Sequence, residues 1–135
     1  MEIRLRSALL EWLEADELLS GMLNSVTEEA PLSATAPWLG IIASASTEWG
    51  SKDRRGHEIL IALELSVRSD APASGSDIVT LIDKRIDALP RQSGGLEIVT
   101  ARFLRARAER RPRNLRSILL EYRFRVLETL MENVQ

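Results

Sequence analysis

Five aliphatic side chains at every second position constrain this chain most: Ile59, Ile61, Leu63, Leu65 and Val67. Period two is the spacing of one face of a strand. On a helix, residues two apart diverge by about 200°, so these five would scatter around the axis. The run reads as the return arm of a hairpin over 38–69. The first arm, Trp38 to Thr47, is apolar and rich in small residues. The tip, Glu48 to Gly56, carries two glycines and the charges Lys52, Asp53, Arg54 and Arg55. A strand with so complete an apolar face needs a cover for that face and partners for its edges.

The flanking segments supply both. Over residues 2–15, Leu5, Leu9, Trp12 and Leu13 fall on one helical stripe, with Glu2, Arg4, Arg6, Glu11 and Glu14 opposite. Asp16-Glu17 interrupts that helix or begins a second short turn through Leu18, Leu19, Met22 and Leu23, and Gly21 marks a break. Asn24 to Pro37 reads as an extended connection, because Pro31 and Pro37 disfavour helix just before them. A loop this long usually serves function or an interface. A second helix is expected over 75–89, with Ile78, Leu81, Ile82, Ile86 and Leu89 as its buried stripe and Asp83, Lys84 and Asp87 facing out. Ser74 and Asp77 form a loose capping box at its start, and Pro90 ends it. Gln92-Ser93-Gly94-Gly95 then turns the chain into a closing strand pair over 96–127.

In that pair, Leu96 and Ile98 alternate cleanly, but Phe103 and Leu104 are adjacent and both apolar. A bulge near Ala101 to Phe103 reconciles the two halves. After the charged turn Glu109–Asn114, the last strand points Ile118, Leu120, Tyr122, Phe124 and Val126 inward. Ser117, Leu119, Glu121, Arg123 and Arg125 point the other way. Residues 128–135 read as a frayed tail, whose Leu130, Met131 and Val134 would otherwise dock on a neighbour. The expected fold class is therefore α+β: an antiparallel four-stranded sheet with two helices packed on one face, in the order α-β-β-α-β-β. At 135 residues it reads as a single domain, 1–135.

Catalytic and ligand chemistry find little purchase. The chain has no cysteine, hence no disulfide, thiolate nucleophile or cysteine-held zinc, which fits a cytosolic compartment. Its single histidine, His57, has Glu58 beside it, but neighbouring strand residues point to opposite faces. A satisfied surface histidine is the plainer reading. Gly50-Ser51-Lys52 looks like the end of a phosphate loop, but a hairpin tip offers no helix N-terminus. No Gly-x-Ser-x-Gly element and no calcium-loop spacing occurs. No catalytic residue, cofactor or metal is expected. The N-terminus lacks the apolar core of a secretory signal, and no run of about 18 apolar residues would span a membrane.

Charge is distributed unevenly. Residues 1–50 carry two Arg against eight acids, residues 51–101 seven bases against eight acids, and residues 102–135 nine Arg against four acids. The plain reading is solvated faces. Two sharper ones are an acidic part of one subunit meeting the basic part of the next, or a basic nucleic-acid surface. The outward side of the last strand carries no aromatic for base stacking, so specific base recognition is not expected. Leu60 and Ala62 lie opposite the core stripe, and Ile41, Ile42, Ala43 and Ala45 leave the first arm apolar on both sides. That points to burial by another subunit.

The whole arrangement resembles the tail-terminator or tail-completion proteins of long-tailed phages and gene transfer agents. The likeness rests on the N-terminal helix with Leu9, Leu10 and Leu13 and the Pro-containing segment after it. It continues through the tip and return Trp49-Gly50-Ser51-Lys52-Asp53-Arg54-Arg55-Gly56-His57-Glu58, Leu63 to Arg68, the Ala88-Leu89-Pro90 stop, and Tyr122-Arg123-Phe124-Arg125. Lys52-Asp53 to Glu58 is the most distinctive piece, although His57 stands where Arg is expected. The resemblance implies a structural, non-enzymatic protein. It would form a hexameric homo-oligomeric ring that ends the tail tube and meets the head-proximal connector (stopper), with DNA passing through the lumen unread. It would be assembled in the bacterial cytoplasm into a phage-like particle. Contacts to subunits or partners would fall on Trp49, Lys52, Asp53, Arg54, Arg55, Arg123 and Arg125. The alternative is a basic-surface module binding nucleic acid or protein.

Overall fold

A computed structural model describes residues 1–29, 35–70 and 72–129, with the backbone alone for Pro72 and Ser74. Three helices and six strands follow in the order α1 (Glu2–Glu14), α2 (Glu17–Met22), β1 (Ser25–Thr27), β2 (Trp38–Glu48), β3 (Gly56–Arg68), α3 (Pro72–Asp87), β4 (Gln92–Ser93), β5 (Leu96–Arg111) and β6 (Leu115–Glu128). The sheet order is β1-β2-β3-β6-β5-β4. β1 runs parallel to β2 and every other pair is antiparallel. The expected four-stranded antiparallel sheet with two helices is thus corrected to a six-stranded mixed sheet with three helices.

The extra elements are short ones with no period of their own. β1 is three residues long and is held by its surroundings: Asn24 N–H donates to Pro37 O at 2.7 Å, and Asn24 Nδ2 donates to Thr35 O at 2.8 Å. β4 is two polar residues, joined to β5 through Gly94 and Gly95 at φ +61° and +76°. Positive φ at both central positions is the geometry of a tight hairpin turn that only glycine adopts freely. α2 exists because Asp16 caps it, its carboxylate accepting from Leu19 N–H at 3.0 Å. Gly21 therefore lies inside a helix and marks no break. α3 begins at Pro72, earlier than a Ser74 cap would allow, since proline suits the first helical position. Pro31 and the tail residues Leu130, Met131 and Val134 lie outside the described residues.

The core sits between the sheet and the helices. Ile59, Ile61, Leu63, Leu65 and Val67 of β3 are buried, as are Leu120, Tyr122, Phe124 and Val126 of β6. Leu5, Leu9 and Leu13 of α1 and Ile78, Ile82 and Ile86 of α3 close over them. Each such burial is worth about 1.5–3 kcal/mol relative to exposure. The two long helices are locked by a reciprocal pair. Trp12 Nε1 donates to Arg85 O at 2.6 Å, and Arg85 Nε donates to Trp12 O at 2.8 Å. The Arg85 guanidinium lies 3.4 Å from the centre of the Trp12 ring.

Irregularities fall on the outer strands. β2 shifts register between Ile41 and Ala43, leaving Ile42 as the extra residue. Beyond it the phase reverses: Ala43 and Ala45 lie opposite Ala62 and Leu60, and Ser44 turns toward α1. β5 carries two shifts where one is expected near Ala101 to Phe103, at Ile98/Thr100 and Phe103/Arg105. A bulge at Val99 puts Ala101 and Phe103 on the face of Phe124 and Tyr122, and a second at Leu104 sets Ala106 and Ala108 on that face. The Phe103 ring meets Tyr122 edge-on at 5.5 Å.

Candidate functional site

The hairpin tip is bonded to itself and to its own sheet. Trp49 N–H donates to Gly56 O at 2.9 Å, Ser51 N–H to Arg54 O at 3.1 Å, and Asp53 N–H to Ser51 Oγ at 3.3 Å. Gly56 has no room for a side chain: a Cβ there would stand 2.5 Å from Trp49 O and 2.6 Å from Val126 O. Arg54 folds back, donating through Nη1 to Glu97 Oε1 and through Nη2 to Glu128 O, both at 2.8 Å. Glu128 N–H in turn donates to Arg55 O at 2.9 Å. The tip is therefore tied to the start of β5 and the end of β6. Lys52, Asp53 and Arg55 remain exposed around it.

On the outer face of the sheet, Glu58 collects two arginines from β6. Arg123 Nε lies 3.6 Å and Arg125 Nε 3.9 Å from its carboxylate. The Arg125 guanidinium also stands 5.6 Å from the centre of the half-buried Trp49 ring. Trp49, Arg123 and Arg125 are thus brought together around Glu58. Arg54 is drawn to Glu97 at the start of β5, and Lys52, Asp53 and Arg55 ring the tip. Beside the tip, Glu48, Trp49, Arg54 and His57 border a polar hollow of about 320 Å³. His57 Nδ1 has no hydrogen-bond partner among the described residues.

The middle of the outer face is apolar. Leu60 is 45% exposed and Leu104 42%, and with Ala43, Ala45 and Ala62 they line one shallow groove. The register places Arg102, Arg105 and Arg107 on this same face. Most of its cations have partners: Arg105 pairs with Glu121, Arg107 with Glu109, and Arg123 and Arg125 with Glu58. The Glu121 carboxylate raises the Arg105 pKa further, so that cation persists at any ordinary pH. On the helix side, hydrogen bonding from Ser44 holds the Glu2 carboxyl below the usual range, against an opposing effect of burial. Among the described residues, no three His, Cys, Asp or Glu are grouped to hold a metal ion, and no helix is long and apolar enough to cross a membrane.

Sequence reasoning missed Glu58 and Glu97 as the anchors of this region. Glu58 was legible in part, because it shares strand parity with the outward residues, but the arginines beside it come from β6, which only the sheet order sets against β3. Glu97 was not, since its meeting with Arg54 joins residues 43 apart in sequence.

The region is thus a sheet backed on one face by helices, with a hydrogen-bonded tip and an apolar, arginine-rimmed outer face. The sequence matches the family "Tail completion protein gp17" over residues 7–127, and the chain belongs to that family, whose members are structural parts of tails. No curated protein matches the sequence. Among solved structures, a chain of the "Virion of native gene transfer agent (GTA) particle" matches with a TM-score of 0.77 and 21% identity, covering 91% of this chain and 94% of that one. That likeness is one of fold.

Proposed function

We propose that this chain, acting as one domain over residues 1–135, forms a ring that ends the tail tube of a phage or gene transfer agent particle. The ring is hexameric, seated between the tube protein and the head-proximal connector, and its role is structural, without catalysis. Assembly takes place in the bacterial cytoplasm. The observation that carries this reading is the family match over residues 7–127, supported by the shared fold with a chain of a gene transfer agent virion. Trp49, Lys52, Asp53, Arg54, Arg55, Arg123 and Arg125 contribute subunit and partner contacts. DNA crosses the lumen without being read. Carboxylates facing Arg105, Arg107, Arg123 and Arg125 favour that over tight phosphate binding.

Native mass spectrometry and electron microscopy of the full chain mixed with assembled tail tubes test the reading. The expected result is a homo-oligomeric cap at tube ends. A protein that stays monomeric at high concentration and leaves tube ends bare would overturn it. Salt-resistant binding to duplex DNA in place of tube capping would favour a nucleic-acid module instead.

A further inference from the structure

We infer that the ring closes by strand pairing, the free edge of β5 in one copy docking antiparallel against the free edge of β2 in the next. This rests on the ring reading above and names the surfaces that build it. β4 covers only Leu96 and Glu97 of β5, and β1 covers only Trp38 to Gly40 of β2. Among the described residues, each long strand past those points has one sheet neighbour, leaving 99–111 and 41–48 with unpaired edges, the Ile98 N–H being taken by Arg91 O at 2.6 Å. Unpaired edge groups template pairing with another chain. Eight residues of overlap give a ladder about 26 Å long at roughly 3.3 Å per residue.

Polarity and charge select this pairing. β2, β3, β6 and β5 each run antiparallel to the next, so β2 and β5 point in opposite directions. Rotation about a ring axis preserves the direction of each strand relative to that axis. Every junction between β5 and the following β2 is then antiparallel, the direction shared by all the long pairs of the sheet. A two-fold pairing of β5 with itself would set Arg102, Arg105, Arg107, Arg110 and Arg111 against their own copies. Like charges repel at such distances. The β2 side offers the complement: Glu29 and Glu48 are exposed near it, while Glu28 pairs with Arg6, which also meets Ser44 beside Glu2. Arg102 and Arg110 have no carboxylate within ion-pair distance among the described residues. A contact between two different patches closes rings rather than dimers.

Because the chain has no cysteine, introduced pairs report on their own. Ala45→Cys is combined in turn with Arg102→Cys, Arg105→Cys and Arg107→Cys, and Ala43→Cys likewise, in full-length protein assembled on tail tubes. Oxidation is expected to give a ladder of cross-linked multimers. The best partner of position 43 should lie further along β5 than the best partner of position 45, the signature of antiparallel pairing. Rings of normal mass with no cross-link from any pair, or with the opposite shift, would overturn the inference while leaving the ring intact. Failure of even the unaltered protein to oligomerise would overturn the ring and this contact together. Arg102→Glu is expected to weaken self-association at least tenfold, with partial recovery on adding Glu48→Arg; an unchanged association constant would count against the charge pairing.

Discussion

Replacing Arg54 by alanine should uncouple the hairpin tip from the sheet, and the cost follows from its contacts. The side chain is 21% exposed and its partner Glu97 24% exposed, so the pair is sheltered but not dry. An ion pair in such a position is worth up to about 1 kcal/mol. The second hydrogen bond, to Glu128 O, has a charged donor and adds on the order of 1.5 kcal/mol. Some of this is recovered when water solvates the freed groups, which leaves a loss of about 2 kcal/mol. With an unfolding entropy of about 2.1 cal/mol/K per residue, the midpoint falls by about 7 °C. Thermal and urea denaturation followed by circular dichroism measure it. Arg55→Ala, which removes an exposed neighbouring cation, should change stability by less than about 0.5 kcal/mol. A double-mutant cycle with Glu97→Gln should show coupling of about 1 kcal/mol. If Arg54→Ala proves as harmless as Arg55→Ala, or the cycle is additive, the tip is not held as described.

Glycine substitutions should separate sharply by site. Gly56→Ala meets backbone oxygens at 2.5 and 2.6 Å on two sides, so soluble folded protein is expected to be lost or destabilised by more than about 3 kcal/mol, measured by expression and melting. Gly21→Ala lies in α2 with nothing within 4 Å, and should stabilise by about 0.5–1 kcal/mol in urea. Tyr122→Phe removes a 2.8 Å donation to Asp83 and should cost about 1 kcal/mol at neutral pH. Burial, then the Asp83 bond and charge, raise the Tyr122 pKa above its ordinary value of 10.0. The folded state therefore holds the phenolic proton longer than the unfolded one. Stability from this group is full below about pH 10 and falls as pH rises above it. The alkaline limb of a stability–pH curve should be steeper for the unaltered protein than for Tyr122→Phe. Arg85→Ala strips the Trp12 stack and a 2.8 Å hydrogen bond, and should lower stability by about 2 kcal/mol with a shift in tryptophan fluorescence.

The period-two run of β3 and the alternation of β6 declared their buried faces residue by residue, because strand geometry allows an apolar stripe at that spacing only one side. The stripes of α1 and α3 were legible for the same reason at helical period. β1 and β4 were not, since three and two residues are too short to carry a period, and both exist only through neighbours already in place. The two bulges of β5 appeared in the sequence as one disturbance, the adjacency of Phe103 and Leu104, and only pairing with β6 resolved where the extra residues stand. The tip showed the same division. Its glycines and charges marked a turn at once. That Arg54 turns back to Glu97, while Arg123 and Arg125 gather on Glu58 beside Trp49, depends on strands far apart in the chain lying side by side. Local pattern determined the elements and their inward faces, since it acts through covalent geometry and burial. Which charges meet, and which edges stay open for a neighbour, was decided by the order of strands in the folded sheet.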